Sequence, residues 1–513
     1  MQYKWKVLIV AIGGTFMMML DSTIVNIALP HILSVFNDTI DRAQFITSAY
    51  MMAMAVSAPL AAYLMARFGV KRIFIGAEIG FLLGSMLCGL AWNTPSLIVF
   101  RIIQGFSSGV LMPLAMTLIF TNVPPEERGT TMGIFGAPFV LAPAIGVTLG
   151  GYLVEYWSWR WCFYVNVPIV FLAVVISVVW LRDTSKTDDL PLDVKGFILA
   201  ALGFSTLLYA LSYAPSWGWS DIRTLGLITV SLMSLVAWTR VELRVKTPLL
   251  DLRVFKFRGY SLGTLMNFVT TLGLFSAMLL LPLFLQSIRG LGAFQAGLLM
   301  VPQAIGVMVG SVSGGRVYDK FGPRPPVIMG LLLAGYTTWK LAALDVTTPD
   351  STITTIITFR GMGIGLAMMP VMTFALAEVP NELVSAASTI TNVLRSVFGG
   401  LATAIFASLL NYYQKTNVEL LTQTATPDSG STLGVLSMAQ VALQKAGMTL
   451  QAAHQGAIAL LYQMTILKAA VLAFDRVFMI GAIILAIGIV PALLLHGGTR
   501  PRESTEVVTA PME

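Results

Sequence analysis

One arginine lies inside an otherwise apolar run. Residues 97–113 read LIVFRIIQGFSSGVLMP, so Arg101 has four apolar residues before it and a mostly apolar stretch after it. A charged side chain at the centre of a bilayer costs about 2.5 to 3.5 kcal/mol on insertion scales, so it normally faces a bundle interior or a watery cavity and meets a partner there. Gln104 shares its helix face, one turn further on. The alternative is an arginine near a helix end that extends to the interface.

The first apolar run contains a single acidic residue, Asp21. Removal from water disfavours a charged carboxylate, so an acid in a half-dry cavity can exchange a proton near neutral pH. We therefore interpret Asp21 as the first candidate proton site and Arg101 as its charge partner. A structural role beside Asn26 or Thr23 is the alternative. Glu78, in the third run, is a candidate second proton carrier, or else a side chain that extends to lipid headgroups.

The composition places these charges in a membrane. Of 513 residues, 56% are hydrophobic and 11% are charged, and the mean hydropathy is +0.80, whereas a soluble domain carries about 25% charge. Apolar runs of sufficient length predict an all-α polytopic membrane protein with fourteen transmembrane helices. The predicted spans lie near 7–30, 44–66, 72–91, 96–120, 130–154, 163–181, 196–214, 224–242, 259–285, 294–316, 326–345, 351–376, 385–410 and 473–496.

The lysines and arginines predict the orientation. If the N-terminus is inside, the inner segments hold most of these residues, from Lys4 to Arg502. The positive-inside rule then predicts that both termini are cytoplasmic. The same bias accounts for the net charge of +7, which indicates topology and contact with membrane lipid rather than nucleic-acid binding.

The chain contains an internal repeat. YLMARFGVKR at 63–72 resembles RVYDKFGPRP at 316–325, and FRIIQGFSSGVLMP, ending at Pro113, resembles FRGMGIGLAMMP, ending at Pro370. Two half-length bundles related by parallel repetition are implied.

This repeat predicts three regions. An N-terminal six-helix bundle occupies 1–182, and a linker with two extra helices, the seventh and eighth, occupies 183–250. A C-terminal six-helix bundle occupies 251–513 and includes a long outer segment at about 411–472. The second half of that segment has a pattern typical of an amphipathic helical hairpin.

Five motifs carry a family resemblance: LDSTIVNIALP (20–30), AYLMARFGVKR (62–72), RIIQGFSSGVLMP (101–113), APAIGVTLGGYL (142–153) and WSWRWCFYVNVP (157–168). Together they resemble the major facilitator superfamily and, within it, the fourteen-helix drug:proton antiporters of the EmrB/QacA type. The resemblance implies a multi-pass protein of the bacterial cytoplasmic (inner) membrane that exports hydrophobic or amphipathic drugs or toxic compounds by proton-coupled alternating access. The outer segment resembles that of EmrB-type pumps, which implies a periplasmic adaptor protein as a partner.

The resemblance also assigns residues to the conformational switch. They are Arg67 and Gly69 in the first short link and Asp319 and Gly322 in the second. The family usually has an aspartate where this chain has Ala66, so the acidic latch between the bundles is kept on one side only.

Gly146 and Gly150 in helix 5 are further switch candidates, because small residues at every fourth position let helices approach closely and slide. Static packing is the alternative. The family usually has a proline at Val147, beside Gly146, so the usual kink is missing here.

Polar and aromatic side chains within the apolar runs are the candidates for a substrate cavity. They are Asn26, Tyr50, Gln104, Asn267 and Gln286. The expected partners are an amphipathic small molecule and protons. Two alternatives stay open, an exporter of a lipid or another endogenous metabolite and a proton symporter that imports a polar metabolite.

Enzyme chemistry and cofactors are not predicted. The sequence has no Gly-Lys dipeptide and therefore no phosphate-binding GxxxxGK[ST] loop. Its three histidines, His31, His454 and His496, are far apart in sequence, and no HExxH motif or other metal-ligand pattern occurs.

Overall fold

The computed structural model describes residues 2–38, 40–182, 192–245, 248–424 and 430–495. The residues outside these ranges are 1 and 39 in the predicted N-terminal bundle, 183–191 and 246–247 in the linker, 425–429 in the outer segment and the tail at 496–513.

The N-terminal half consists of helices separated by short links. They are α1 (Tyr3–Phe36), α2 (Ile40–Ser57), α3 (Leu60–Phe68), α4 (Val70–Gly89), α5 (Thr94–Asn122), α6 (Arg128–Phe135), α7 (Pro138–Tyr156), α8 (Trp161–Tyr164) and α9 (Asn166–Trp180). Two helices follow, α10 (Val194–Trp217) and α11 (Ile222–Glu242).

The C-terminal half repeats the arrangement, and its α16 and α18 are the longest helices among the described residues. The helices of this half are α12 (Arg258–Leu283), α13 (Ala293–Phe321), α14 (Arg324–Leu341), α15 (Asp350–Ala377), α16 (Val384–Thr424), α17 (Gly430–Lys445), α18 (Leu450–Ile487) and α19 (Ile489–Leu493). A short π-helical turn at Phe284–Ile288 extends α12.

Within the described residues, eleven helical segments are long and apolar enough to cross a membrane, and the bent pair α2–α3 makes a twelfth. The predicted spans near 130–154 and 326–345 are also helical, as α6–α7 and α14, but they are not in this set. In α14, Arg324 and Lys340 lower the mean hydropathy of a helix of only 18 residues. The fold is therefore an all-α polytopic membrane protein, and the number fourteen stays a prediction.

Helices α5 and α15 form the centre of the two halves. In the most apolar 18-residue stretch of each helix, 78% of α5 and 89% of α15 is buried inside the protein. A helix that is apolar on all sides packs inside a bundle. The start of α5 is set by Asn93, whose side chain accepts from the Ser96 backbone N–H while the Ser96 hydroxyl accepts from Asn93, a capping box.

The two halves pack together at one end of the bundle. We call it the inner end; α1 begins there, and the links at Gly69 and Gly322 lie there. One apolar cluster at this end includes Phe120 of α5 together with Leu376 and Ile390 of the other half. The apolar clusters at the opposite, outer end each belong to a single half. The halves are therefore joined through their core at the inner end.

The outer segment continues two helices of the bundle. Helix α16 runs for 41 residues, to Thr424, well past the predicted end at 410, and α18 begins at Leu450 rather than near 473. The hydropathy pattern ends earlier than the helices because polar residues begin, but no proline interrupts either helix. Helix α17 packs against the first part of α18, and this pair corresponds to the predicted hairpin.

Candidate functional site

The centre of the N-terminal half contains a buried ion pair. Arg101 Nη1 of α5 lies 2.5 Å from Asp21 Oδ2 of α1, and both side chains are 0% exposed. A fully buried side chain does not reach the membrane interface, so the alternative that Arg101 extends to it does not apply. Asp21 bonds neither Asn26 nor Thr23, the structural partners considered for it.

Two amides complete the coordination of the Asp21 carboxylate. Gln104 Nε2 donates to Asp21 Oδ1 at 3.0 Å, and Asn166 Nδ2 of α9 donates to the same oxygen at 2.8 Å. Gln104 also accepts from Arg101 Nη1 at 2.7 Å and donates to Ser85 Oγ of α4 at 2.6 Å. The Asp21 carboxylate therefore accepts three hydrogen bonds, one from Arg101 and two from the amides. Four helices, α1, α4, α5 and α9, are thus linked by the network around one acid, with α4 joined through Gln104 and Asn166.

Tyr50 of α2 supports the arginine from the other side. The guanidinium carbon of Arg101 lies 4.0 Å from the centre of the Tyr50 ring, within the range of a cation–π contact. The Tyr50 hydroxyl donates to Ser108 Oγ at 3.0 Å. Arg101 Nε and Nη2 have no hydrogen-bond partner among the described residues. The face of the Tyr50 ring therefore supplies part of the stabilisation of the cation that a second carboxylate would supply.

Sequence reasoning missed Asn166 and Ser85. Both are polar residues isolated among apolar neighbours, and both are fully buried. Asn166 also lies in the motif WSWRWCFYVNVP that carries the family resemblance. The same signal that identified Gln104, a lone amide in an apolar helix, was available for Asn166.

Glycines bring the surrounding helices close to the ion pair. A Cβ atom on Gly84 of α4 would lie 2.7 Å from Gln104 Cα, and one on Gly105 would be 3.1 Å from Tyr50 Cα. The predicted switch residues Gly146 and Gly150 pack on α1 next to Asp21, where added Cβ atoms would lie 3.0 Å from Thr23 and 2.8 Å from Ile24. A movement of α7 on α1 would therefore act on the helix that carries Asp21.

The five predicted cavity residues do not form one site. Tyr50 and Gln104 belong to the ion-pair network, and Asn26 is exposed and accepts from Thr47 Oγ1 at 3.1 Å. Asn267 is buried in α12, while Gln286 is exposed in the π-helical turn at the end of the same helix. Nineteen residues of helix separate the last two by about 28 Å, so no small molecule contacts both.

Glu78 lies outside the ion-pair network. It is on α4, two turns from Ser85 toward the inner end, and it is 1% exposed. Neither carboxyl oxygen has a hydrogen-bond partner among the described residues. Contact with lipid headgroups, the alternative considered for it, would require an exposed side chain.

The predicted switch residues in the two links differ in what they contact. Asp319 accepts from the backbone N–H groups of Gly129 and Thr130, both at 2.8 Å, and from Thr130 Oγ1 at 2.6 Å. The carboxylate thereby caps the start of α6 across the boundary between the halves, where helix N–H groups lack other partners. Arg67 is exposed and interacts with Tyr63.

The glycines of the links have a conformational role. Gly69 and Gly322 have φ angles of 83° and 79°, in the left-handed region that other residues rarely adopt. Each lies between two helices at the same place in its half. These turns let both links reverse direction within one residue.

The sequence matches the Major Facilitator Superfamily over residues 11–403. The chain belongs to this superfamily. Among curated proteins, this superfamily member is 38% identical over 404 residues to the uncharacterized MFS-type transporter YhcA of Bacillus subtilis, covering 79% of the chain and 76% of the relative. It is 31% identical to the multidrug transporter protein MdtP (77% and 73% covered) and 31% identical to the lincomycin resistance protein LmrB (80% and 86% covered), both of Bacillus subtilis.

Solved structures support the same fold. The human organic anion transporter MFSD10 aligns with a TM-score of 0.60 at 12% identity, over 94% of this chain and all of that one. The proton:xylose symporter XylE aligns with a TM-score of 0.57 at 14% identity, over 96% and 99% of the two chains. This major facilitator protein is accordingly a multi-pass membrane transporter rather than an enzyme.

Proposed function

We propose that this transporter is a proton-coupled antiporter that exports hydrophobic or amphipathic drugs by alternating access. The observation that carries the proposal is the fully buried ion pair of Asp21 and Arg101, at the centre of a hydrogen-bond network that links four helices. The names of relatives such as MdtP and LmrB support drugs as the substrate class.

The proposed coupling follows from what a proton would do at this site. Protonation of Asp21 removes the negative charge that pairs with Arg101. It also converts a carboxylate that accepts three hydrogen bonds into a carboxylic acid with one O–H donor. The ion pair between α1 and α5 then weakens, and Arg101 becomes an unpaired buried cation, which is unfavourable in a membrane. Proton binding would therefore favour a conformation in which these helices pack differently.

The packing of the halves supports the assignment of this conformation to one state of the transport cycle. With the halves joined at the inner end and Asp319 capping α6, we assign it to the state closed toward the cytoplasm, in the orientation with both termini cytoplasmic in a bacterial inner membrane. Opening to the other side would break the cap and separate Phe120 from Leu376. The fourteen-helix organisation predicted from the sequence is part of this proposal.

The test uses purified protein in lipid vesicles, with ethidium as an amphipathic fluorescent probe and lincomycin as a second one. In antiport, an imposed pH gradient moves the probe into the acidic compartment, and collapse of the gradient with nigericin stops the movement. Asp21→Asn should abolish the effect, whereas Glu155→Gln, a change of an exposed acid at the outer end of α7, should not.

The direction of movement separates the alternatives. A proton symporter would move its substrate out of the acidic compartment. An exporter of a lipid or endogenous metabolite would show the Asp21-dependent proton movement only when that compound is supplied. Probe movement that ignores the gradient would show that coupling to protons is wrong.

The outer helices support a second proposal, a periplasmic adaptor as partner. Helices α17 and α18 extend beyond the bundle and expose apolar side chains, among them Met438 (75%) and Leu450 (68%), and such exposed groups are typical of interaction sites. Deletion of 420–460 should then stop export across a two-membrane envelope and leave probe exchange in vesicles intact. Loss of both activities, or of neither, would contradict an adaptor.

A further inference from the structure

A second polar layer lies in the same helix interface as Asp21. In it, Glu78 of α4 lies beside Gly14 of α1, where a Cβ atom would be 3.5 Å from Glu78 Oε1. Ser177 of α9 faces the Glu78 carboxyl without completing a hydrogen bond. Glu78 is 1% exposed and Ser177 0%. A buried acid and a buried hydroxyl thus meet with unused hydrogen-bonding capacity.

The two layers are built by the same three helices. Gly14 precedes Asp21 by seven residues and Glu78 precedes Ser85 by seven residues, so each pair shares one face of its helix at a separation of about 10 Å. Ser177 follows Asn166 by three turns on α9, which runs in the opposite direction. All three helices therefore place the second layer on the inner-end side of the ion pair.

An apolar plug separates the layers. Each of the three helices contributes one residue from between its two polar positions: Met17 from α1, Phe81 from α4 and Val170 from α9. Leu20 and Ala142 complete this cluster, and no member is more than 3% exposed. Water cannot connect Asp21 with Glu78 while these side chains stay packed.

No charged group in the described parts of the chain compensates the Glu78 carboxyl. Among the described residues it forms no ion pair, and the charged groups of the neighbouring helices belong to other layers. Asp21 on α1 and Arg101 on α5 form the ion pair, and Lys6, Lys71 and Arg72 lie near the inner end. Because an isolated carboxylate is strongly disfavoured away from water, the neutral acid is the stable form of Glu78 in this conformation.

We propose that Glu78 is the inner-side proton relay of the transport cycle, so that protons leave Asp21 through the α1, α4 and α9 interface rather than through the substrate cavity. This inference rests on the proposed proton coupling. When the helices shift, Glu78 first releases its proton to water at the inner end. The Glu78 carboxylate then accepts the proton of Asp21 through water that enters between Met17, Phe81 and Val170, and Asp21 returns to its ion pair with Arg101.

Glu78→Gln tests the relay, because the amide keeps the shape of the acid and carries no exchangeable charge. In vesicles with ethidium, gradient-driven movement should fall at least tenfold, while ethidium exchange at equal pH on both sides, which needs no net proton release, should stay within twofold of the wild type. Glu78→Asp should restore part of the driven movement. Glu155→Gln is the matched control and should change neither rate.

Phe81→Ala tests the path, because it opens the plug between the layers. We expect proton leak without ethidium, measured with a pH dye inside the vesicles, to rise several-fold over the wild type. The added change Glu78→Gln should bring this leak back to the wild-type level, since the relay would then be missing. A leak that persists in the double variant would place the proton path elsewhere.

The results separate this inference from the proposed function. If the wild type responds to the gradient, Asp21→Asn does not, and Glu78→Gln still does, the antiporter stands and the relay is wrong. If Glu78→Gln lowers exchange and driven movement equally, its role is structural and the relay is also wrong. If the wild type ignores the gradient, the proposed coupling itself fails.

Discussion

The two halves of the molecule place an arginine at the same position and surround it differently. In the N-terminal half, Arg101 pairs with the Asp21 carboxylate. In the C-terminal half, Arg360 of α15 is equally buried but forms no ion pair with any described residue. Its Nε donates to Thr338 Oγ1 at 2.9 Å, its Nη2 donates to the Gly273 carbonyl and to Ser276 Oγ, and its Nη1 has no partner in the described parts of the chain.

The correspondence extends to the neighbours. Ser276 on α12, the first helix of its half, bonds Arg360 as Asp21 on α1 bonds Arg101. Thr338 on α14 follows Ser85 on α4 by the same number of residues as Gly322 follows Gly69. The repeat thus preserves the scaffold and the cation, but only one half has an acid. A buried arginine held by neutral oxygens links helices, whereas one held by a carboxylate can also respond to a proton.

The largest effect is expected when the arginine site of the N-terminal half loses its acid and so becomes like the site of the C-terminal half. Asp21→Asn removes the carboxylate that forms the ion pair with Arg101, so gradient-driven ethidium movement should fall to background. Breaking a buried ion pair at one partner costs about 3 to 5 kcal/mol, so the melting temperature of the purified protein should also fall. Asp21→Glu is the control and should keep part of the movement. Wild-type rates in Asp21→Asn would mean that the proton site lies elsewhere.

Changes of the arginine sharpen the comparison. Arg101→Ala should stop driven movement, because Asp21 loses its counter-charge. Arg101→Lys should recover it only in part, since a point charge cannot bond Asp21 and Gln104 while it stacks on Tyr50. The loss of one charge-assisted hydrogen bond, about 1.5 kcal/mol, corresponds to a roughly tenfold lower rate. Equal rates for lysine and arginine would show that only the charge matters.

The two links give a third comparison, since Asp319 has Ala66 as its counterpart. Asp319→Ala leaves the N–H groups of Gly129 and Thr130 without an acceptor, which should destabilise the conformation closed at the inner end by about 1 to 3 kcal/mol. Distances between spin labels across the inner end should then shift toward the open form.

The converse change probes the other link. Ala66→Asp should shift the same distances toward the closed form, provided that the new carboxylate finds the start of the helix facing it. Unchanged distances in Asp319→Ala would show that the cap of Asp319 on α6 does not stabilise the closed conformation.

The smallest effect is expected when the C-terminal half is given an acid. Ser276→Asp places a carboxylate beside Arg360 and its unpartnered Nη1. A gain of about 1 kcal/mol is expected after the desolvation of the new charge, visible as a melting temperature higher by a few degrees than that of Ser276→Asn. The number of protons moved per ethidium should not change. A higher number would show that both halves can couple.

The central ion pair was predictable from the sequence. A lone arginine and a lone aspartate in apolar helices each need a partner, and helical periodicity puts Gln104 on the face of Arg101. The contributions of Asn166 and Ser85 were not predictable in this way, because local patterns do not tell which helices become neighbours. The grouping of Asn267 with Gln286 failed for a related reason, since sequence polarity does not include depth along a helix.

The ends of the helices show the same limit. Hydropathy marked where α16 and α18 leave the apolar layer but not where they end, because a helix continues until a residue breaks it. The repeat, by contrast, was readable in detail: the glycines of both links, Gly69 and Gly322, occupy equivalent turns with positive φ.

The length of α16 has a mechanical consequence. A continuous helix of 41 residues is about 60 Å long, so its outer tip and its inner end turn as one lever. Helix α18, with 38 residues, packs alongside it. A rocking of the C-terminal half by a few degrees is therefore magnified into a displacement of several ångströms at the tip near Thr424. The position of the outer tip, beyond the apolar layer, therefore reports the tilt of the C-terminal half within the membrane.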